Sequence, residues 1–175
     1  MVGKYPYSWG GGDNNGPTLG TKEASSPYCD DSAVVGFDCS GLAKYAVYQG
    51  TGTSLYHKAQ VQYDNAPRKV PLADKRPGDL VFYGASASAS SIYHVAIYAG
   101  NDTIIDAPGH NDDCTGKLVR QVKLYTSNLL PDAGRYWNES GSSSSSSSEN
   151  GSSADKMKVG KSFIAFVLFT LFVLA

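Results

Sequence analysis

A run of seven consecutive serines, residues 142–148, limits how much of this chain can belong to a folded domain. The run lies in a stretch of Gly, Ser, Glu and Asn that reaches Ala154, and such a stretch has too few apolar side chains to build a core. We therefore interpret residues 138–161 as a flexible, solvated stalk and spacer. The remaining unit, residues 1–137, is long enough for one domain with a sizeable core.

The charge balance of the chain excludes one class of partner. Lys and Arg together number 15 against 16 Asp and Glu, which leaves a net charge of -1. A nucleic-acid-binding domain would need a basic face, so we expect no nucleic-acid partner. The 19 glycines and 12 tyrosines are typical of a β-rich or α+β domain with many turns.

One helix is predicted to begin at residue 39 or 40. Asp38 is a favourable N-cap for it, and Gly50 is a good terminator. Between these two positions, apolar side chains recur at the spacing of one buried helical face: Cys39, Leu42, Ala43, Ala46 and Val47.

The rest of the folded unit is dominated by predicted strands. Residues 13–35 are polar and predict a long irregular loop, and a second helix is expected within residues 54–66. Apolar or alternating segments then predict strands at 80–83, 94–98, 103–107 and 117–124, with a closing strand at 135–137. Early helices followed by a run of strands indicate an α+β fold with an antiparallel sheet.

Cys39 is a candidate nucleophile because of its position at a helix start. Unpaired N–H groups and the helix dipole favour negative charge there, and the thiolate is the reactive form of cysteine. A half-buried structural cysteine is an equally good interpretation of the position alone.

His94 and Asp106 are the candidate partners of Cys39. A hairpin turn at residues 100–102 would bring these two residues close to facing each other, so that the carboxylate holds the imidazole. His110 is an alternative orienting group, and a purely structural His94 is the plainer interpretation. We place His57 at the surface. No pair of candidate ligands has the close spacing of a zinc site, so we expect no metal.

The three cysteines leave two interpretations open. An odd number is compatible with one disulfide and one free thiol, and in a secreted chain a Cys29–Cys114 pair would leave Cys39 free. Two ordinary thiols at Cys29 and Cys114 are nearly as good an account.

Five ordered motifs together resemble those of the NlpC family of cell-wall cysteine peptidases. The resemblance covers residues 3–137 and implies a compact papain-like α+β fold, in which the helix that carries the nucleophile packs on an antiparallel sheet. The motifs, in chain order, are Tyr7-Ser8-Trp9-Gly10-Gly11, Phe37-Asp38-Cys39-Ser40-Gly41-Leu42, Arg76-Pro77-Gly78-Asp79-Leu80-Val81-Phe82, His94-Val95-Ala96-Ile97-Tyr98-Ala99-Gly100 and Ile105-Asp106-Ala107-Pro108.

The resemblance implies a catalytic role for three residues. Cys39 matches the nucleophile and His94 matches the base. Asp106 falls at the third position, where the family usually has His and sometimes Asn or Gln, so that this chain departs from the pattern there.

The resemblance also implies contacts with the substrate. Tyr7 matches a tyrosine that lies near the nucleophile. Asp38 and Ser40 are candidate substrate-binding residues, because the aspartate before the cysteine holds the amino end of the peptide in some members.

The implied activity is that of a cysteine endopeptidase acting on peptidoglycan stem peptides, typically at the bond between D-glutamate and a diamino acid. We expect no cofactor and a monomer. Two alternatives remain open at this point: an inactive binding or structural protein on the same fold, and an acyltransferase or lipid hydrolase of the wider superfamily.

The end of the chain predicts attachment to a membrane. Residues 162–175 form a hydrophobic tail whose 13 residues from Phe163 to Ala175 are fewer than the about 20 that a membrane-spanning helix needs. Small residues at 150–152 and a polar spacer at 153–162 instead fit a glycolipid-anchor signal. Asn101, Asn138 and Asn150 stand in glycosylation acceptor sequences.

We therefore expect an extracellular protein, lipid-anchored to the outer membrane face. Residues near Met1 show no signal peptide, so export would need a segment upstream of Met1 or one already removed. Such an anchor indicates a eukaryotic cell, which has no peptidoglycan of its own. The expected targets are therefore bacteria outside the cell.

Overall fold

The computed structural model describes residues 1–23 and 29–138. The predicted folded unit ends within this range. Most of the predicted stalk and spacer and the whole of the predicted tail fall on residues 139–175, outside the described residues. Within the described ranges, we find no helix with the length and apolar character needed to cross a membrane.

Two α-helices precede most of the sheet, which confirms the α+β prediction. The helices are α1 (Cys39–Thr51) and α2 (Ala59–Asp64). The strands are β1 (Thr18–Leu19), β2 (Val35–Gly36), β3 (Arg68–Pro71), β4 (Leu80–Gly84), β5 (Ile92–Gly100), β6 (Thr103–Asp106), β7 (Arg120–Lys123) and β8 (Asp132–Arg135). Strands β1 and β2 form a small separate ribbon, and the other six form an antiparallel sheet in the order β3-β8-β4-β5-β6-β7.

Helix α1 begins where the sequence predicts, and its terminating glycine lies two residues later than expected. Asp38 caps it by accepting a hydrogen bond from the Gly41 N–H at 2.7 Å. The predicted end at Gly50 is wrong because the helix continues to Thr51 and is terminated by Gly52, whose φ of 74° is the left-handed conformation that glycine adopts readily. The Gly52 N–H closes the helix on the Tyr48 carbonyl at 2.8 Å.

The side chains of β5 contribute to two hydrophobic clusters. Val95 and Ile97 belong to the larger cluster, which contains the buried face of α1. Ala96 and Tyr98 belong to the second cluster. His94 shares the period-two register of this second pair, near the start of the strand.

The β5–β6 hairpin forms as predicted, and its register makes His94 and Asp106 diagonal neighbours. Ile97 pairs with Ile105, and Gly100 pairs with Thr103 across a tight turn. Continuing this register puts Asp106 opposite residue 96, so Asp106 is a diagonal neighbour of His94. Diagonal neighbours on one face of a sheet are still within reach of long side chains.

Three local predictions need correction. The predicted irregular loop over residues 13–35 contains β1 and the start of β2. Strand β3, which pairs with β8, was missed because its Arg-Lys-Val-Pro sequence is short and mostly exposed. The closing strand lies at Asp132–Arg135, earlier than the expected 135–137.

Cys29 and Cys114 form a disulfide that joins two loops 85 residues apart in the chain. Their Cα atoms lie 5.4 Å apart, within the range that disulfides require. Cys39 is the free cysteine of the described residues. This confirms the first of the two interpretations that the cysteine count left open.

Candidate active site

A cleft of about 680 Å³ opens at the N-terminal end of α1. Cys39, the first residue of the helix, lines this cleft and is partly exposed. His94 faces it from the start of β5, and Tyr7 faces it from the N-terminal segment. Five of the six predicted site residues therefore meet in one cleft: Tyr7, Asp38, Cys39, Ser40 and His94.

The sixth residue, Asp106, lies buried next to His94. Its Oδ2 atom is 3.2 Å from Nε2 of His94, and its side chain is fully shielded from solvent. Cys39 also lies close enough to His94 to influence the pKa of the imidazole. Because Nε2 faces Asp106, the ring nitrogen that remains for the thiol is Nδ1.

The surroundings of His94 favour the charged imidazolium. Burial by itself would lower the pKa of His94, but the hydrogen bond with Asp106 and the negative charges of Cys39 and Asp106 raise it to about 9. At neutral pH the ring is therefore protonated when it faces a thiolate. A thiolate–imidazolium pair is the reactive state of a cysteine nucleophile with a histidine base.

Asp106 is braced by two further side chains. Arg120 donates from Nε to Oδ1 at 2.9 Å, and the Tyr125 hydroxyl lies 3.5 Å from Oδ2. Burial raises the pKa of Asp106, but the hydrogen bonds from His94 and Arg120 outweigh burial and hold it below its ordinary value. The carboxylate is therefore ionised where it contacts the imidazole. Arg120 and Tyr125 were not singled out from the sequence, although the register Asp106–Arg120 follows once β6 and β7 are paired.

His110 lies apart from His94 and takes a different partner. Its Nε2 atom is 2.8 Å from Oδ2 of Asp31. Its ring packs edge-on against Tyr7 with centroids 4.8 Å apart. His110 therefore supports Tyr7 from behind the cleft. Burial, followed by the negative charges of Cys39 and Asp38, raises the pKa of the Tyr7 phenol, which stays neutral.

Asp38 contacts three separate parts of the chain around the cleft. Its Oδ1 atom accepts hydrogen bonds from the Gly41 N–H at 2.7 Å and the Ser40 hydroxyl at 2.8 Å. Its Oδ2 atom accepts from the Gly10 N–H at 3.0 Å and lies 2.8 Å from Nε2 of His57. A carboxylate offers about four acceptor positions, so these contacts occupy all of them.

His57 is the main residue of the cleft that sequence reasoning missed. It is exposed, as predicted, but it lines the cleft beside Lys58 and contacts Asp38. The sequence indicated only a surface position for His57, and nothing in the local pattern ties residue 57 to residue 38. The second Asp–His pair of the site is a product of tertiary packing.

A group of potential metal ligands lies outside the cleft. One ligand atom each of Glu23, Cys29 and His110 lie within 4.8 Å of one another. The sulfur of Cys29 is bonded to Cys114, so it is not a thiolate that can bind a metal.

The sequence matches the NlpC/P60 family over residues 3–128. It is 41% identical over 126 residues to the peptidoglycan endopeptidase RipA of Mycolicibacterium smegmatis, which covers 72% of this chain and 22% of that protein. It is 40% identical over 119 residues to the peptidoglycan endopeptidase RipB of Mycobacterium tuberculosis, with 68% of this chain and 44% of the relative covered. The chain therefore spans less than half the length of these relatives.

Solved structures of related domains superpose over most of the chain. The P60 domain of an M. avium paratuberculosis antigen has a TM-score of 0.61 at 32% identity, covering 77% of this chain and 84% of that one. RipD from Mycobacterium tuberculosis, a non-catalytic NlpC/p60 domain protein adapted to peptidoglycan binding, has a TM-score of 0.60 at 30% identity, with coverages of 77% and 88%.

Proposed function

Because this chain belongs to the NlpC/P60 family, we propose that it is a cysteine endopeptidase that hydrolyses amide bonds in peptidoglycan stem peptides, at the bond between D-glutamate and a diamino acid. The observation that carries the proposal is the arrangement of Cys39 and His94 in one cleft, with His94 hydrogen-bonded to the buried Asp106. Such a nucleophile, base and orienting group are what acyl transfer by cysteine requires.

In the first half of the reaction, the Cys39 thiolate attacks the carbonyl carbon of the scissile amide, and the carbonyl oxygen becomes an oxyanion. The first N–H groups of a helix have no partner within the helix, so the N–H of Cys39 can donate to this oxygen. The C–N bond then breaks, and the proton of the His94 imidazolium passes to the departing amine. The products of this half are the free amine and an acyl thioester on Cys39.

In the second half, His94 is neutral and takes a proton from water as the water oxygen attacks the thioester. The C–S bond breaks, which releases the carboxylic acid and restores the thiolate–imidazolium pair. Asp106 keeps Nε2 of the ring occupied throughout, so that Nδ1 stays directed at the reacting atoms.

A non-catalytic binding role is the second candidate, because RipD is a non-catalytic relative with the same domain. The presence of Cys39 and His94 in one cleft favours catalysis, since a binding surface needs neither a thiol nor an imidazole at these positions. Asp106, buried and paired with His94, gives further support.

The test is hydrolysis of defined muropeptides by the full chain, with product masses measured by mass spectrometry. We expect cleavage by the wild type and loss of at least about 1000-fold in rate for Cys39→Ser and for His94→Ala, because the two groups act as a unit. Retained activity in a folded Cys39→Ser protein would end the cysteine-peptidase proposal. Binding of muropeptides without turnover by the wild type would favour the RipD-like role.

The substrate class is tested separately on bacterial sacculi. We expect release of cleaved stem peptides into solution. Intact sacculi, together with cleavage of ordinary proteins or lipid esters, would replace peptidoglycan with the acyltransferase or lipid-hydrolase alternative.

For the location we propose display on the outside of a cell, with residues 138–161 as a stalk and residues 162–175 as the signal for a lipid anchor. The Cys29–Cys114 disulfide supports an oxidising, extracellular compartment. A phosphatidylinositol-specific phospholipase should release the protein from intact cells, and the released C-terminal peptide should lack Phe163 to Ala175. A protein that stays attached and keeps this segment would be held by a short membrane-inserted tail instead.

A further inference from the structure

One wall of the cleft carries two basic side chains that the proposed mechanism does not use. His57 and Lys58 lie immediately before α2 and both line the cleft that contains Cys39. A Cβ atom at Gly41 would come within 3.0 Å of Nε2 of His57, so the imidazole lies directly over the first turn of α1. The two basic groups therefore face the same space as the nucleophile.

Asp38 fixes the orientation of His57, but the Asp38 carboxylate has no acceptor position left for a ligand. Its four acceptor positions are filled by the contacts described above, and its side chain is 11% exposed. A substrate ammonium group would have to displace one of these donors before it could reach the carboxylate. Asp106, the acid that contacts His94, is fully buried.

The other polar atoms of the His57 and Lys58 side chains have no partner within the described residues. In the described residues, Nδ1 of His57 and Nζ of Lys58 make no hydrogen bond and no ion pair. Among the described residues that line the cleft, Asp38 is the only carboxylate, against the basic groups His57, Lys58 and His94. Charge complementarity therefore favours an anionic group of the ligand over a cationic one.

We propose that His57 and Lys58 form a carboxylate-binding subsite next to the scissile bond. The ammonium of Lys58 supplies the charge, and His57, held through Nε2 by Asp38, presents Nδ1 to the same ligand. This assignment rests on the proposed function, which supplies the substrate: glutamate has a carboxyl group outside the chain of amide bonds, and some diamino acids have one too. The subsite makes His57 and Lys58 specificity-determining residues, whereas Asp38 positions His57.

The experiment compares three synthetic stem peptides with the full chain: one with free carboxyl groups, one amidated at the glutamate carboxyl, and one amidated at the extra carboxyl of the diamino acid. We expect one of the two amidations to lower kcat/KM about five- to tenfold, mainly through KM, because a charge-assisted hydrogen bond at a partly exposed site is lost. Which amidation has this effect identifies the source of the carboxylate.

Variants of Lys58 connect that preference to the subsite. Lys58→Met should lower kcat/KM for the free-acid peptide to the level of the sensitive amide and leave the amide unchanged. Lys58→Glu should invert the preference, and His57→Ala should reduce it. Lys123→Met, an exposed lysine on β7 outside the cleft, is the matched control and should behave as wild type.

A binding measurement separates this proposal from the proposed function. Calorimetry with the Cys39→Ser full chain reports affinity for the same three peptides without turnover. If the wild type cleaves no peptide but Cys39→Ser still prefers the free acid, the hydrolase proposal fails and the subsite stands. Equal affinity for all three peptides, or a preference that survives in Lys58→Met, overturns the subsite.

Discussion

Asp106 is a short carboxylate at a position where the family usually has a histidine, and Arg120 compensates for the difference. The guanidinium contacts both carboxylate oxygens, at 2.9 Å and 3.4 Å, and with His94 it keeps the pKa of the buried acid low. An isolated buried carboxyl would tend to take up a proton and so lose its hold on the imidazolium. We therefore regard Arg120 as a positioning residue that acts through Asp106.

Replacing Arg120 should move the acid side of the pH–activity profile. In Arg120→Met the pKa of Asp106 rises, so Asp106 becomes protonated at a higher pH as the solution is acidified. The acid limb of kcat/KM should shift upward in pH relative to the wild type, with little change in KM. Lys123→Met on the same strand is the control. Superimposable profiles for Arg120→Met and the wild type would contradict this role.

The alkaline side of the profile should report His94. The raised pKa of His94, about 9, means that activity depending on the imidazolium persists through neutral pH and is lost as the pH rises through about 9. Asp106→Asn removes a negative charge beside the ring, so this limb should move to lower pH, and kcat should fall about 10- to 100-fold. A limb that is unchanged in Asp106→Asn would remove Asp106 from the site.

The residues of the site differ in how far sequence could predict them. His94 and Asp106 lie in neighbouring strands of one hairpin, so the predicted turn was enough to place them close together. Arg120 needed the pairing of β7 with β6, and the contact of His57 with Asp38 needed the packing of a loop against α1. Long-range contacts of this kind leave no periodic signal in a single sequence.

At the scale of elements, the turn before β4 is bonded to β8, the last strand of the domain. Asp79 is fully buried and accepts two hydrogen bonds from Arg135 of β8, both at 2.8 Å, and one from the Trp137 indole at 3.0 Å. In the sequence, Asp79 stands out only as part of the third family motif. Asp79 closes the turn before β4 through the Arg76 N–H at 2.7 Å and connects two neighbouring strands of the sheet.

Substitution of Asp79 should destabilise the whole domain without changing any residue of the cleft. Asp79→Ala leaves the buried guanidinium of Arg135 without its carboxylate, which costs about 3–5 kcal/mol in the free energy of unfolding. Urea denaturation followed by circular dichroism measures this change. Asp102→Asn is the control, because its contact with Lys75 is 3.6 Å long and its side chain is 70% exposed, so we expect a change under about 0.5 kcal/mol. Equal effects of the two substitutions would contradict the anchoring role.

The strands were easier to predict than their order. Alternating or apolar segments identified β4 to β7, since burial of one or both faces imposes those patterns. The position of β8 between β3 and β4 could not be predicted from the sequence. It depends on pairings across more than 50 residues, such as Arg68 with Arg135. The exposed sequence of β3 has no pattern from which its pairing with β8 could be predicted.

At the scale of the whole molecule, the disulfide joins the loop before β2 to the loop after β6. The double variant Cys29→Ala/Cys114→Ala should lose about 2–5 kcal/mol of stability, because the bond restricts the unfolded chain over an 85-residue separation. Thermal unfolding of the oxidised protein, the reduced protein and the double variant measures this. The reduced wild type should match the double variant, and a double variant as stable as the oxidised protein would show that packing alone holds these loops.

The same disulfide changes what a cut in the backbone would do. Residues 85–91, between β4 and β5, form an exposed loop that a foreign protease can reach, and this loop lies between Cys29 and Cys114. The two fragments would remain covalently joined, with β4 still paired to β5. A clipped molecule should therefore migrate as one species until it is reduced. The residues of the proposed active site should stay together in it, because the disulfide and the β4–β5 pairing both connect the two fragments.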